Sequence, residues 1–178
     1  ADGEVRDVGP DAHPDLYWGL RGGGGNFGVV TSFRYRLHPV ARVLAGALTF
    51  TGAAARDALH EHHAFMAGTP DELSSSVSDG RDGVSVIVCW SGDLARGEDA
   101  LRPLRGIAGG ATEDTVGPVD FLDWQRAPDT GFPRGRCHYW KSGYLRHLTD
   151  AAVDDLLAVA ATIPNPDTGI GLQGQAIC

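Results

Sequence analysis

A chain of 178 residues can hold one substantial domain or parts of two. With 42% hydrophobic and 21% charged residues it has an ordinary globular composition, which excludes a disordered chain. Its net charge of −8, from 23 acidic against 15 basic side chains, disfavours a nucleic-acid partner, since binding phosphates calls for a basic patch and none is visible.

No run of residues approaches the roughly 18 apolar positions of a membrane helix. The opening Ala1-Asp2-Gly3-Glu4 lacks the basic-then-apolar pattern of a signal peptide, so we expect a soluble protein, cytoplasmic or exported. Lys141 is the only lysine, and the abundance of Ala, Gly, Asp and Arg is what a GC-rich bacterial genome produces. Cys89, Cys137 and Cys178 are odd in number and widely spaced, which indicates neither a disulfide framework nor a zinc site. Cys89, inside the apolar run Val84 to Trp90, reads as a buried structural thiol.

In chain order, Val5 and Val8 suggest an opening hairpin, followed by a short helix capped by Asp11 with Pro14 in its first turn. Leu16, Tyr17 and Leu20 are spaced to bury one side of it, and Gly22 to Gly25 must end it. Val29 to Leu37 then alternates Phe33, Tyr35 and Leu37 with Ser32, Arg34 and Arg36, the period of a half-buried strand that His38-Pro39 stops. Strands are expected at Leu44 to Thr51, Val84 to Trp90, Arg136 to Leu145 and from about Gly169. Helices are expected at Ala53 to Met66, Leu94 to Ile107, Val119 to Arg126 and Asp150 to Ile163. The order implies an α+β fold, helices layered on one face of a mainly antiparallel sheet. The rhythm changes between Pro39 and Ala45, and we place the units at 1–42 and 43–178. The final strand runs out at Cys178, and both ends read as internal to a longer chain.

Gly23 to Gly28 matches G-x-G-x-x-G, the dinucleotide fingerprint. That fingerprint needs a strand before the glycines and a helix after them, so that a helix N-terminus faces the pyrophosphate. Here a helix precedes and a strand follows, so the nicotinamide reading fails. A helix cap and tight turn would need one or two glycines. Four in a row followed by Asn26-Phe27-Gly28 favour a ligand that approaches bare backbone N–H groups.

The stretch Asp15-Leu16-Tyr17-Trp18-Gly19-Leu20-Arg21-Gly22-Gly23-Gly24-Gly25-Asn26-Phe27-Gly28-Val29-Val30-Thr31 resembles a long, contiguous block of berberine-bridge-enzyme-like oxidases. These belong to the vanillyl-alcohol-oxidase superfamily, with a PCMH-type FAD domain. Phe121-Leu122-Asp123-Trp124-Gln125, Pro133-Arg134-Gly135 and Tyr139-Trp140-Lys141-Ser142-Gly143-Tyr144-Leu145 resemble later blocks of that family, in order. The resemblance implies that residues 1–42 are the C-terminal part of an FAD-binding domain and 43–178 part of a substrate domain. It implies FAD as cofactor, with Gly24, Gly25, Asn26, Gly28, Val29 and Val30 lining it. It implies oxidation of an alcohol, amine or C–H position of a small-molecule substrate by hydride transfer to flavin, with O2 as final acceptor. The family's flavin-linking Arg-[Ser/Gly]-Gly-Gly-His motif, its attachment cysteine and its C-terminal catalytic tyrosine segment have no counterpart here. We therefore expect this chain alone to be inactive, the missing parts lying before and after it. The catalytic base stays unassigned.

Other groupings carry less. His60-Glu61-His62-His63 would need a histidine at Ala64 to complete H-E-x-x-H, and reads as a polar helix face with no metal. Asp120, Asp123 and Asp129 surround a short helix, where capping explains them more simply than acid–base work. In the Arg136–Leu145 strand, alternation puts Cys137, Tyr139, Lys141 and Leu145 opposite His138, Trp140, Ser142 and Tyr144. A mid-strand lysine cannot be buried without a partner, so Tyr139 and Lys141 are assigned to substrate, although Lys141 reaching solvent fits equally well. Two other functions remain open: a non-catalytic module in which the glycines only make a turn, and a phosphate- or nucleotide-binding protein of another class.

Overall fold

A computed structural model describes residues 3–80, 83–164 and 168–173. The chain divides into two compact units, Ala1–Pro39 and Val40–Cys178. Among its described residues the smaller unit holds one regular helix, α1 (Pro14–Leu20), and a single 3-10 turn at Gly24–Asn26. Asp11 does not cap α1. Gly9 and Ala12 exchange backbone hydrogen bonds of 2.8 and 3.2 Å, and this closed turn delays the helix so that His13 becomes the N-cap, in a left-handed conformation. Neither residues 3–8 nor Val29–Leu37 form strands. Phe33, Tyr35 and Leu37 stay 66%, 73% and 87% exposed.

In the larger unit the apolar alternation does find partners. Its elements are β1 (Arg42–Phe50), α2 (Ala53–Met66), β2 (Leu73–Gly80), β3 (Gly83–Trp90), α3 (Leu94–Gly106), β4 (Glu113–Asp114), β5 (Gly117–Asp120), α4 (Phe121–Arg126), α5 (Asp150–Thr162) and β6 (Ile170–Gln173). All pairings are antiparallel, in the order β4-β1-β3-β2-β6, with β5 also on β1. β4 and β5 keep one register along β1, Leu48 opposite Asp114 and Ala45 opposite Gly117, so they are two halves of one interrupted edge strand. The path β1-α2-β2-β3-α3-β4/β5 is the split βαβ arrangement, extended at the β2 edge by β6. The unit is α+β, as its sequence implied.

The core lies between the sheet and its helices. Leu44, Leu48 and Phe50 of β1 face Val84, Val86, Val88 and Trp90 of β3, with Leu73 and Val77 of β2 alongside. Leu59 of α2, Leu101 and Leu104 of α3 and Val153 of α5 close over them. Burying each such side chain contributes about 1.5–3 kcal/mol. Trp90, 1% exposed, anchors this layer: its Nε1 donates to the Asp93 carbonyl at 2.8 Å, and α3 approaches so closely that a Cβ on Gly97 would lie 2.5 Å from the ring. Asp93 caps α3 by accepting from the Arg96 N–H, and Thr149 caps α5 by accepting from the Ala152 N–H.

The sequence expectations need correction at three places here. Leu73–Gly80 is a strand although it is rich in serine, because Leu73, Ser75, Val77 and Asp79 point into the core in alternation. Arg136–Leu145 is not a strand. No described strand pairs with it, and its residues are exposed throughout. Val119 belongs to β5, so the helix begins only at Phe121.

Candidate functional site

The glycine run separates into three physical roles. Gly19 and Gly23 are packing glycines: a Cβ on either would meet the Phe27 ring at 2.9 and 2.3 Å, so Phe27 folds back over the end of α1. Gly24 and Gly28, at φ +60° and +145°, occupy backbone conformations that L side chains rarely adopt. Gly25 has neither reason. Its φ is not in the positive region, and nothing lies within 4 Å of where its Cβ would be. The turn is held by Asn26, whose Nδ2 donates to the Gly23 carbonyl at 2.7 Å.

Gly24, Gly25 and Asn26 thus share one exposed turn, followed by exposed Gly28 and Val29, with Val30 42% exposed. The run presents bare backbone on a solvent-facing surface, the arrangement a phosphate-bearing ligand needs.

Tyr139 and Lys141 lie in the larger unit, on the exposed segment after α4. Tyr139 is 88% exposed. Without a ladder, the two-faced division of Cys137 to Leu145 has no meaning, and the preference for Tyr139 and Lys141 loses the alternation that supported it. The local order here is aromatic instead. Phe132 stacks on Trp140 with centroids 5.6 Å apart and contacts His138 at 5.2 Å.

The sheet carries a surface that was not legible in the sequence. On the face away from α2, α3 and α5, β1, β3 and β2 align in three rows: Ala45–Cys89–Ser74, Ala47–Ile87–Ser76 and Thr49–Ser85–Ser78. No member of this grid is charged and none is long. Solvent-facing sheets ordinarily carry long polar or charged side chains. A smooth, hydroxyl-bearing floor is suited to a flat neutral ligand. Cys89 sits in it half-buried, and burial pushes its thiol pKa up, away from nucleophilic reactivity. The signal for this face was the serine at every second position of Ser74 to Ser78, missed with β2 itself.

The histidine cluster comes apart. His60 Nε2 lies 3.4 Å from Asp150 Oδ1, Glu61 accepts the Ala108 N–H at 3.2 Å, and His62 turns inward, 5% exposed. Ser75 Oγ donates to the Ile87 carbonyl at 3.1 Å, so His62 Nε2 must donate to Ser75 Oγ, at 2.8 Å. Burial, helped by His63, lowers the His62 pKa to about 4 and keeps the ring neutral. Among the described residues no group of three metal-ligating side chains converges. Asp120 faces Arg42 at 3.9 Å, and Asp123 and Asp129 are exposed, so no carboxylate pair forms. Among the described residues no helix is long and apolar enough to cross a membrane. Cys178 lies outside the described residues.

No family model matches the chain. Curated relatives do. An FAD-linked oxidoreductase of Dictyostelium discoideum is 25% identical over 157 residues, 87% of this chain and 34% of that protein. The FAD-linked oxidoreductase aurO of Gibberella zeae is 31% identical over 133 residues, 70% of this chain and 26% of the relative. A chitooligosaccharide oxidase of the same fungus is 29% identical over 123 residues, 67% of this chain and 25% of the relative. The chain spans about a quarter to a third of the length of these proteins. Over that span, it is similar to FAD-linked oxidoreductases.

Proposed function

We propose that this chain is part of an FAD-dependent oxidase of the berberine-bridge-enzyme type, with residues 1–42 from a PCMH-type FAD domain and 43–178 from the substrate domain. The observation that carries the reading is the exposed turn Gly24-Gly25-Asn26, which presents backbone without side-chain cover at Gly25, within the run of four glycines followed by Asn26-Phe27-Gly28. Two of the relatives are named FAD-linked oxidoreductases, which supports FAD as the ligand.

In this reading the backbone N–H groups of Gly24, Gly25, Asn26 and Gly28 hold the phosphate-bearing portion, and Val29 and Val30 give it an apolar wall. FAD supplies a hydride acceptor that returns its electrons to O2, and the substrate is an alcohol, amine or C–H donor. The smooth face of β1, β3 and β2 bounds the substrate space. Tyr139 contributes a ring and Lys141 a cation that contacts a polar group of the substrate. No group of this chain is assigned as the catalytic base.

FAD titration of the purified chain, followed by flavin fluorescence, tests this. Saturable quenching is expected, with loss of affinity in Gly25→Val, a substitution the local fold tolerates. Equal competition by ADP and FAD would transfer the chain to the wider class of phosphate-binding proteins. Absence of any binding would leave the glycines as a turn.

A further inference from the structure

Between Gly22 and Gly28 only Asn26 and Phe27 carry side chains. Both reach back to Gly23. Asn26 Nδ2 donates to the Gly23 carbonyl at 2.7 Å. The Phe27 ring lies across Gly19 and Gly23. The Gly23 N–H donates to the Gly19 carbonyl at 2.9 Å, which prolongs the helical pattern past α1 and sets the two glycines on one side of it, as a seat for the ring. Gly19 is the only buried residue of α1, and the three heavy atoms nearest to a Cβ placed there all belong to the Phe27 ring.

We propose that Phe27 is a positioning residue of the glycine turn, holding Gly24 and Gly25 in the arrangement that a phosphate-bearing ligand meets. The proposal rests on the reading of that turn as the FAD-contacting site. Its physical basis is entropic. Glycine loses more conformational freedom on ordering than any other residue, and four run together here. A ligand that engages adjacent N–H groups binds only those chains in which the groups already converge. Its apparent dissociation constant rises in inverse proportion to that fraction. Gly24 and Gly25 have no side chains to restrict them, so the restriction comes from the residues that bracket them. Asn26 supplies one hydrogen bond, for which water competes on an exposed turn. The ring on its glycine seat is an apolar contact that water does not replace, and Phe27 is half covered by it.

Gly19→Ala separates positioning from helix stability. Alanine favours the helix more than glycine does, yet its Cβ would lie 2.9 Å from the ring, which must swing off its seat. Backbone amide NMR relaxation and FAD affinity are measured on the unaltered chain, Gly19→Ala, Phe27→Ala and the double variant. Phe27→Ala is expected to drop the order parameters of Gly24 to Asn26 below about 0.6 and to weaken FAD binding about tenfold. Gly19→Ala should weaken binding several-fold although α1 is at least as well formed. The double variant should bind no worse than Phe27→Ala alone, because without the ring the Cβ has room. Unchanged order or unchanged affinity in Phe27→Ala overturns the proposal. So does a Gly19→Ala chain that binds FAD as the unaltered chain does, or a double variant in which the two losses add. Each of these leaves the FAD reading standing, since the unaltered chain still binds. An unaltered chain that binds no FAD removes that reading itself, and the proposal with it.

Discussion

Val84–Trp90 and Phe33–Leu37 carry the same message in sequence and meet opposite fates. The first lies between β1 and β2, each residue hydrogen-bonded into a ladder, with Val84, Val86, Val88 and Trp90 at most 1% exposed. The second has the same period, with rings in place of valines, and remains 66% to 87% exposed on its apolar face. Cys137–Leu145 follows the second, with Tyr139 and Tyr144 at 88% and 96%. Alternation says which side of a strand would be buried. A strand exists only where neighbouring strands accept its N–H and C=O groups and another layer covers its face. The residues that form the sheet also hold the molecule together; the exposed segments hold the residues assigned to ligands.

The largest effect that would sharpen this contrast is Trp90→Ala, which empties the space between β3 and α3 and removes the hydrogen bond to Asp93. A loss of about 3–5 kcal/mol is expected by denaturant titration. The equivalent change at Trp140, 75% exposed, should cost less than about 0.5 kcal/mol. Comparable losses at the two tryptophans would break the comparison.

Next comes His62. Its folded pKa of about 4 lies below the ordinary 6.5, so the unfolded chain binds the proton more readily. The contribution of neutral His62 is therefore complete above pH 6.5 and is lost as pH falls from 6.5 toward 4, by roughly 3 kcal/mol at most. His62→Gln should flatten stability across that window. An unchanged slope in the variant would contradict the buried His62–Ser75 pair.

Asp79 is a smaller and opposite case. It points into the core at 2% exposure, and its Oδ2 has no partner among the described residues. Burial raises its pKa, against the Gly80 N–H that favours the charged form. A raised folded pKa means the protonated form suits the fold, so the site weakens the protein as pH climbs through that value. Asp79→Asn should lift the melting temperature by a few degrees at neutral pH and by less in acid. A lower melting temperature in the variant at neutral pH would show that the charge is used.

The sheet and its helices were mostly legible. Ala53–Met66 carried its boundaries in its own pattern, and Val84–Trp90 its burial. β2 was hidden because Ser75 and Asp79 occupy inward positions, where hydrophobic periodicity has nothing to detect. Ser75 is there to receive His62, thirteen residues away, and that need appears only in three dimensions. The opposite error came at Arg136–Leu145, where a strand pattern has no partner strand. In the glycine run the sequence showed that glycine was abundant, and the geometry showed which glycine the local fold does not require. Gly23 packs, Gly24 turns, and Gly25 meets nothing within the chain.

The functional reading is tested most directly by amide hydrogen exchange of the chain with and without FAD. It predicts slowed exchange confined to Gly23 through Val30, with β1 and β3 unchanged because their amides are already paired within the sheet. Slowed exchange elsewhere with none at Gly24 to Gly28, or no change at any amide under saturating FAD, would contradict it.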